Sequence, residues 1–242
     1  MLRSWCWSWC WAALLCVLLG PGPADGHEWS HVLPNHTSLK YEGRYAWNQS
    51  SNINAVSFDM PGFRISFCVT GAQNVSVLLS SIGLESPHRF WIYVNDTLLE
   101  ENTIDTADAE LDIIYSYPVA TSLNNESVYC LTLIKISESN FNSAYKDQIN
   151  YVQFHGIELI GVGGDLTSPL QPLHGSPRRK IEFIGDSIMA GYMNLCGEEN
   201  AGDLGDLGAY ALESFALAWP LLVAESFDAE YHAIGACVVL HA

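Results

Sequence analysis

Ser187 is the residue of this sequence best placed to do covalent chemistry. It stands in "IEFIGDSIMAGY", where a short apolar run breaks at Gly185-Asp186-Ser187 and small and apolar residues follow. A serine hydroxyl is a weak nucleophile at neutral pH. It needs a base to take its proton and donors to hold the developing oxyanion. A corner after a buried strand exposes the side chain at the carboxyl edge of a sheet, where ligands bind in open α/β folds. A serine opening the following helix also turns its own N–H towards an oxyanion. Gly185 permits the sharp turn, and Asp186 can tie the loop through its side chain. Gly-Asp-Ser is equally an ordinary turn tripeptide, so the corner needs partners to become a site.

The sequence offers no obvious base. His232 lies in the strand-like run "EYHAI", and His241 stands beside the end of the chain, where fraying is usual. His155, His174 and the histidines near the start belong to other segments, and nothing in their spacing pairs them with Ser187. Nothing around Cys237 lowers a thiol pKa, so it reads as a buried or disulfide-bonded cysteine. The sequence contains no CxxC, and neither metal nor other cofactor is expected.

The elements that would position the serine change character along the chain. Residues 40–161 read as all-β. In "RISFCVTG", Ile65, Phe67 and Val69 face one way and Ser66, Cys68 and Thr70 the other; "NVSVLLSS" repeats the alternation. "HRFWIYVNDTLL" runs into an Asn95-Asp96 hairpin turn. "LDIIYSY", "SVYCLTLIKIS" and "YVQFHGIELIG" follow, which suggests a sandwich or jelly roll. Residues 162–180 are dense in Gly and Pro and read as a linker. Arg178-Arg179-Lys180 reads as a solvated strand entrance. From Ile181 the pattern becomes strand, corner, Gly-rich loop, helix, strand, the opening of a parallel sheet. Pro220 suits the first turn of that helix, with Leu221, Leu222, Ala224 and Phe227 as its apolar positions.

These segments together resemble the SGNH (GDSL-type) hydrolases, and the layout is similar to carbohydrate esterase family 2. That family joins an N-terminal jelly roll to an SGNH domain and removes acetyl groups from polysaccharides. The resemblance runs from about residue 40 to residue 236. It implies a multidomain chain: an all-β jelly-roll sandwich over 40–161, a linker over 162–180, and the start of an α/β/α domain with a flavodoxin-like parallel sheet over 181–242. It implies Ser187 as nucleophile and oxyanion N–H donor, Gly185 and Asp186 as loop support, no cofactor, and an acetylated carbohydrate or other small ester as substrate. The sequence also departs from the pattern. Where the family has Ser-Gly-x-Gly, this chain has Cys237-Val238-Val239-Leu240, and Gly235 does not align well with the donor glycine. The Gly-x-Asn-Asp block and the Asp-x-x-His block that bears the base are not found before Ala242. The resemblance therefore implies a C-terminally incomplete member with little or no esterase activity of its own. The alternative is a non-catalytic secreted glycan-binding protein. In it Trp47, Trp91, Tyr93 and Tyr115 would stack on sugars if exposed; otherwise they are core aromatics.

Composition bounds the partners. The chain has 242 residues, 49% hydrophobic and 15% charged, with a formal net charge of −17. That charge argues against nucleic acid and against docking on anionic lipid. Arg3, the apolar run of residues 11–20 and "PGPADG" read as a signal peptide over residues 1–26, too short to insert stably in a membrane, so a secreted protein is expected. Four cysteines remain after it: Cys68, Cys130, Cys196 and Cys237. They allow three pairings. Cys68 and Cys130 share one strand-rich region and are the favoured pair, with two buried free thiols as the alternative. Five sequons, at Asn35, Asn48, Asn74, Asn95 and Asn125, accord with a glycosylated surface.

Overall fold

The computed structural model describes residues 27–50, 53–82, 88–99, 103–106, 109–137, 150–162, 170–171, 173, 179–192, 194–195 and 213–235. Residues 1–26, most of the Gly/Pro-rich stretch, and Cys196, Cys237, His174 and His241 lie outside the described residues.

Two antiparallel sheets share one core. The first orders β10 (Tyr115–Ala120), β6 (Asn74–Ile82), β12 (Tyr151–Val162), β4 (Ile53–Phe58) and β3 (Ala46–Ser50), with β1 (His27–Val32) also on β12. The second orders β13 (Leu170–Gln171), β5 (Arg64–Val69), β11 (Tyr129–Lys135), β7 (Arg89–Val94) and β8 (Thr97–Leu98). Here β2 (Lys40–Glu42) joins β5 and β9 (Ile104–Asp105) joins β7. The alternating positions point inward. Ile65, Phe67 and Val69 meet Val75, Val77 and Leu79 in a core that also holds Phe58, Phe90 and Phe154.

In β12 the alternation breaks and then resumes. Val152 and Phe154 face the core, and so do Ile157 and Leu159, because a bulge between Phe154 and Gly156 absorbs one extra residue. Gly156 has φ +128°, and a Cβ there would lie 2.3 Å from the Val32 carbonyl oxygen. The turn joining β7 to β8 places Asn95 and Asp96 at φ 48° and 62°, the double left-handed conformation of a tight hairpin. Opposite it, Cys68 and Cys130 pair directly across β5 and β11 in a disulfide.

The sandwich takes in residues outside 40–161. β1 pairs with the far end of β12, His27 opposite Val162, so the first sheet begins before residue 40. Part of the Gly/Pro-rich connector is a strand, because Leu170 is buried opposite Val69. The run "LDIIYSY" is a strand only from Tyr115; Ile113 and Ile114 are exposed.

The second sheet also has a covered outer face. Ile134 on β11 and Ile136 just beyond its end, facing away from the sandwich core, pack in a second cluster. That cluster includes Phe183, Met189, Phe215, Leu221, Tyr231 and Ala233, with Trp91 and Tyr93 partly buried against it. It belongs to a parallel pair, β14 (Arg179–Gly185) and β15 (Ala229–Gly235), with α1 (Ser187–Ala190), a 3₁₀ turn (Phe215–Leu217) and α2 (Trp219–Ser226). In α2 the buried residues are Pro220, Leu221 and Ala224, whereas Leu222 and Phe227 are exposed, so the apolar face is narrower than the sequence suggests.

The join between the sandwich and the parallel pair is specific. Gly62 has φ +81°, and a Cβ on it would lie 2.5 Å from the Phe215 ring, so the ring occupies the space a side chain would fill. Phe215 stacks on Tyr231 at 5.8 Å, and the Tyr231 hydroxyl donates to the Gly62 carbonyl at 2.6 Å. Charges continue the seam. Lys40 lies between Glu42 at 3.0 Å and Glu230 at 3.5 Å, and Lys180 meets Glu230 at 3.0 Å. Burial works to raise the Glu230 pKa, but the hydrogen bond from Lys180 and the charges of Lys40 and Lys180 win, and it falls.

Two outcomes test these contacts. Replacing Cys68 and Cys130 together by alanine opens a closure of sequence separation 62 and is expected to lower the unfolding free energy, by about 2–4 kcal/mol in a urea titration. A depressed carboxylate stabilises fully above its unfolded pKa and loses that contribution as pH falls through the folded value. The melting-temperature gap between the wild type and Glu230→Gln is therefore expected to be widest near pH ~7 and to close towards pH ~3.

Candidate active site

Strand β14 ends at Gly185, opposite Gly235 at the end of β15, so both strands deliver their carboxyl ends to one edge. Asp186 caps the helix that follows: its Oδ1 accepts from the Ile188 N–H at 3.1 Å, which ties the corner. Ser187 opens α1 and is half-buried. Its N–H is among those that a helix start leaves without an intrahelical acceptor. Met189 and Ala190 anchor the turn in the apolar cluster below.

The turn closes on Gly191, at φ +93°. A Cβ on Gly191 would lie 2.3 Å from the Ser214 carbonyl oxygen. Ser214 donates its N–H to the Gly191 carbonyl at 3.0 Å, and the next residue, Phe215, donates to the Ile136 carbonyl at 3.0 Å. Two consecutive residues thus bind the serine corner to the sandwich. Gly235 is also part of the corner: a Cβ on it would lie 2.4 Å from the Met189 Cε and 3.1 Å from the Asp186 carbonyl oxygen. Gly235, which does not align well with the donor glycine of the resembling family, stands opposite Gly185 through the parallel register.

Gly185, Asp186 and Ser187 come together at the corner, but no imidazole joins them among the described residues. His232 pairs with Glu182 in register, its Nδ1 3.5 Å from the carboxylate, three residues before the strand ends and so about 10 Å back along the sheet. His88 is buried in the sandwich against Asn150. Burial, and then the charge of Lys135, push its pKa well down. His155 meets the Ser80 hydroxyl at 2.8 Å, a serine–imidazole contact that the sequence did not signal. Burial and the charge of His31 lower the His155 pKa, so the ring is biased to the neutral form. Ser80 is buried in mid-strand, away from any helix start. Among the described residues no cluster of three or more His, Cys, Asp or Glu could hold a metal, and no helix is long and apolar enough to cross a membrane. None of the five sequon asparagines is buried. The Oδ1 of Asn74 accepts from Ser122, and that of Asn95 accepts from Cys130.

No protein-family model matches the sequence, and comparison with curated proteins finds no match. Solved structures do match. A family two carbohydrate esterase from Cellvibrio japonicus superposes with a TM-score of 0.66 at 16% identity, over 87% of this chain and 53% of that one. The acetyl xylan esterase Est2A of Butyrivibrio proteoclasticus gives 0.65 at 15%, over 87% and 49%. A family two carbohydrate esterase from Clostridium thermocellum in complex with cellohexaose gives 0.61 at 22%, over 82% and 51%. An antiparallel sandwich joined to a parallel strand–corner–helix–strand unit defines the class. Within it the chain has a fold like that of carbohydrate esterase family 2 and spans about half the length of those proteins.

The corner predicts its own weak point. Gly191→Ala meets a carbonyl that cannot swing aside and adopts a left-handed conformation, so it is expected to cost more than about 1 kcal/mol in a urea titration. Gly235→Ala meets the mobile end of Met189 first and is expected to cost less.

Proposed function

We propose that this protein is a secreted, glycosylated carbohydrate ester hydrolase of SGNH type. Its sandwich is the jelly roll of that layout, and residues 181–242 form the nucleophile-bearing start of the α/β/α domain. The observation that carries the reading is Ser187 itself: half-buried, opening a helix directly after a parallel strand, on an aspartate-capped corner pinned to the sandwich. In the proposed reaction the Ser187 Oγ attacks the acetyl carbonyl while a base removes its proton. The sugar hydroxyl then leaves with a proton, and water clears the acyl-enzyme. The Ser187 N–H is one oxyanion donor, and Gly185 and Asp186 support the loop. The substrate is an acetylated carbohydrate or a similar small ester. The known folds at this level of similarity include one solved with cellohexaose, which supports a saccharide ligand. Asn35, Asn48, Asn74, Asn95 and Asn125 are the proposed glycan sites.

Among the described residues no base reaches Ser187, and the test of the reading is acetate release from acetylated xylan compared between the protein and its Ser187→Ala variant. A form that carries the base is expected to lose activity by about 10³-fold or more on the same substitution. Retention within tenfold there would remove Ser187 from the role.

A further inference from the structure

Two clefts open on either side of one exposed ring, back along the sheet from the serine corner. Tyr45, between β2 and β3, is 39% exposed, and Trp47 on β3 is 42% exposed. Their rings lie 6.3 Å apart and nearly perpendicular. Both rest on rigid supports. Tyr41 is 5.6 Å from Tyr45 and 5.7 Å from Trp47, and Phe63 is 5.9 Å from Tyr45. Tyr41 is itself fixed, because its hydroxyl donates to the Pro34 carbonyl at 2.7 Å. Rings held this way lose little freedom when a ligand stacks on them.

The cleft on one side of Tyr45 has a volume of about 210 Å³, with Arg44, Ser57, Asp59 and Tyr151 in its walls. The cleft on the other side has about 390 Å³ and is walled by Glu42, Lys180, Glu182 and Glu230 together with Tyr41 and Tyr231. Its walls carry both hydrogen-bond donors and acceptors, and the Lys180–Glu230 ion pair lies within it. This is the chemistry of a sugar: an apolar ring face for an aromatic, and hydroxyls that both donate and accept. Bases also stack on aromatics, but the net charge of −17 repels a phosphate backbone. It repels sulfated or uronic chains in the same way.

We infer that Tyr45 and Trp47 form a binding platform for a neutral polysaccharide chain, which lies across Tyr45 with sugar units in both clefts. The platform is separate from Ser187. The wall residue on β14 nearest the corner, Glu182, stands three residues before Gly185, about 10 Å back along the strand. The platform does not depend on turnover at the serine and would hold a chain whether or not that chain is deacetylated.

The whole 242-residue protein is titrated calorimetrically with cellohexaose, xylohexaose and mannohexaose, with a heparin hexasaccharide as the charged control. At least one neutral hexasaccharide is expected to bind with a Kd below about 1 mM, and heparin is not. Tyr45→Ala and Trp47→Ala are each expected to weaken binding by about tenfold, Tyr45→Phe by less than about threefold, and Glu182→Ala several-fold. Ser187→Ala is expected to bind like the wild type. Melting curves check folding, and Glu182→Ala provides an independent arm should an aromatic variant fail to fold. Absence of binding by every neutral saccharide at millimolar concentration overturns the proposal. So does undiminished binding by Tyr45→Ala, or binding lost on Ser187→Ala. The esterase reading is judged on acetate release and this one on affinity, so either can fail without the other.

Discussion

The Phe215 ring lying over Gly62 is the contact on which the rest of the arrangement depends. Gly62 leaves a hollow in the rim of the sandwich, and Phe215 fills it while stacking on Tyr231. The backbone around that ring works in both directions: Ser214 holds Gly191 at the serine corner, and Phe215 holds Ile136 on the sandwich. The corner is thereby referenced to the antiparallel sheet and not only to its own two strands. A parallel pair alone is too small to fix a side chain against thermal motion, because isolated two-stranded units are marginal in water. Packing against the outer face of β11 supplies the missing area.

The charged seam has a different role. Exposed ion pairs contribute little free energy each, and Lys180 is itself largely exposed. Burial of Phe215, Leu221, Tyr231 and their neighbours outweighs them by area alone. The pairs matter for direction. Glu42 on β2 and Glu230 on β15 share Lys40, which discriminates against a parallel unit rotated or slid along the sheet. Apolar contact tolerates sliding, whereas a misplaced half-buried carboxylate does not.

Much of the architecture was legible in the residues. The alternation of β5 and β6, the Asn95-Asp96 turn, Pro220 at a helix start and the Gly-Asp-Ser corner each rest on a local rule of backbone or side-chain geometry. What escaped depends on partners distant in sequence. Ile134 and Leu133 are neighbours of one chemical type, yet one faces the sandwich core and the other the parallel unit. The bulge at His155 is invisible until Gly156 meets Val32. Leu222 and Phe227 read as a buried face because periodicity reports apolar positions without saying what covers them. Leu170 sits in a Gly/Pro-rich stretch that composition assigns to a connector, and only pairing with Val69 makes it strand. At the site, Gly185, Asp186 and Ser187 could be read from their order. The role of Gly191 in closing the corner and the place of Gly235 opposite Gly185 needed three-dimensional neighbours.

The two serines of interest show why residue type does not make a nucleophile. Ser80 has an imidazole at hydrogen-bonding distance, biased to the neutral form and so able to accept a proton. Its hydroxyl is buried in the middle of a strand whose N–H groups are committed to the ladder, so it offers neither approach to an ester nor donors for an oxyanion. Ser187 has the converse: a sheet edge, a helix start whose first N–H has no intrahelical acceptor, and partial exposure, without a base among the described residues. Of the two deficits, that of Ser187 is the easier to fill. A base is one side chain that another segment can bring within reach, whereas donors and access require the strand-to-helix corner itself. The strand-to-helix corner, which backbone geometry alone must supply, is what Ser187 has and Ser80 lacks.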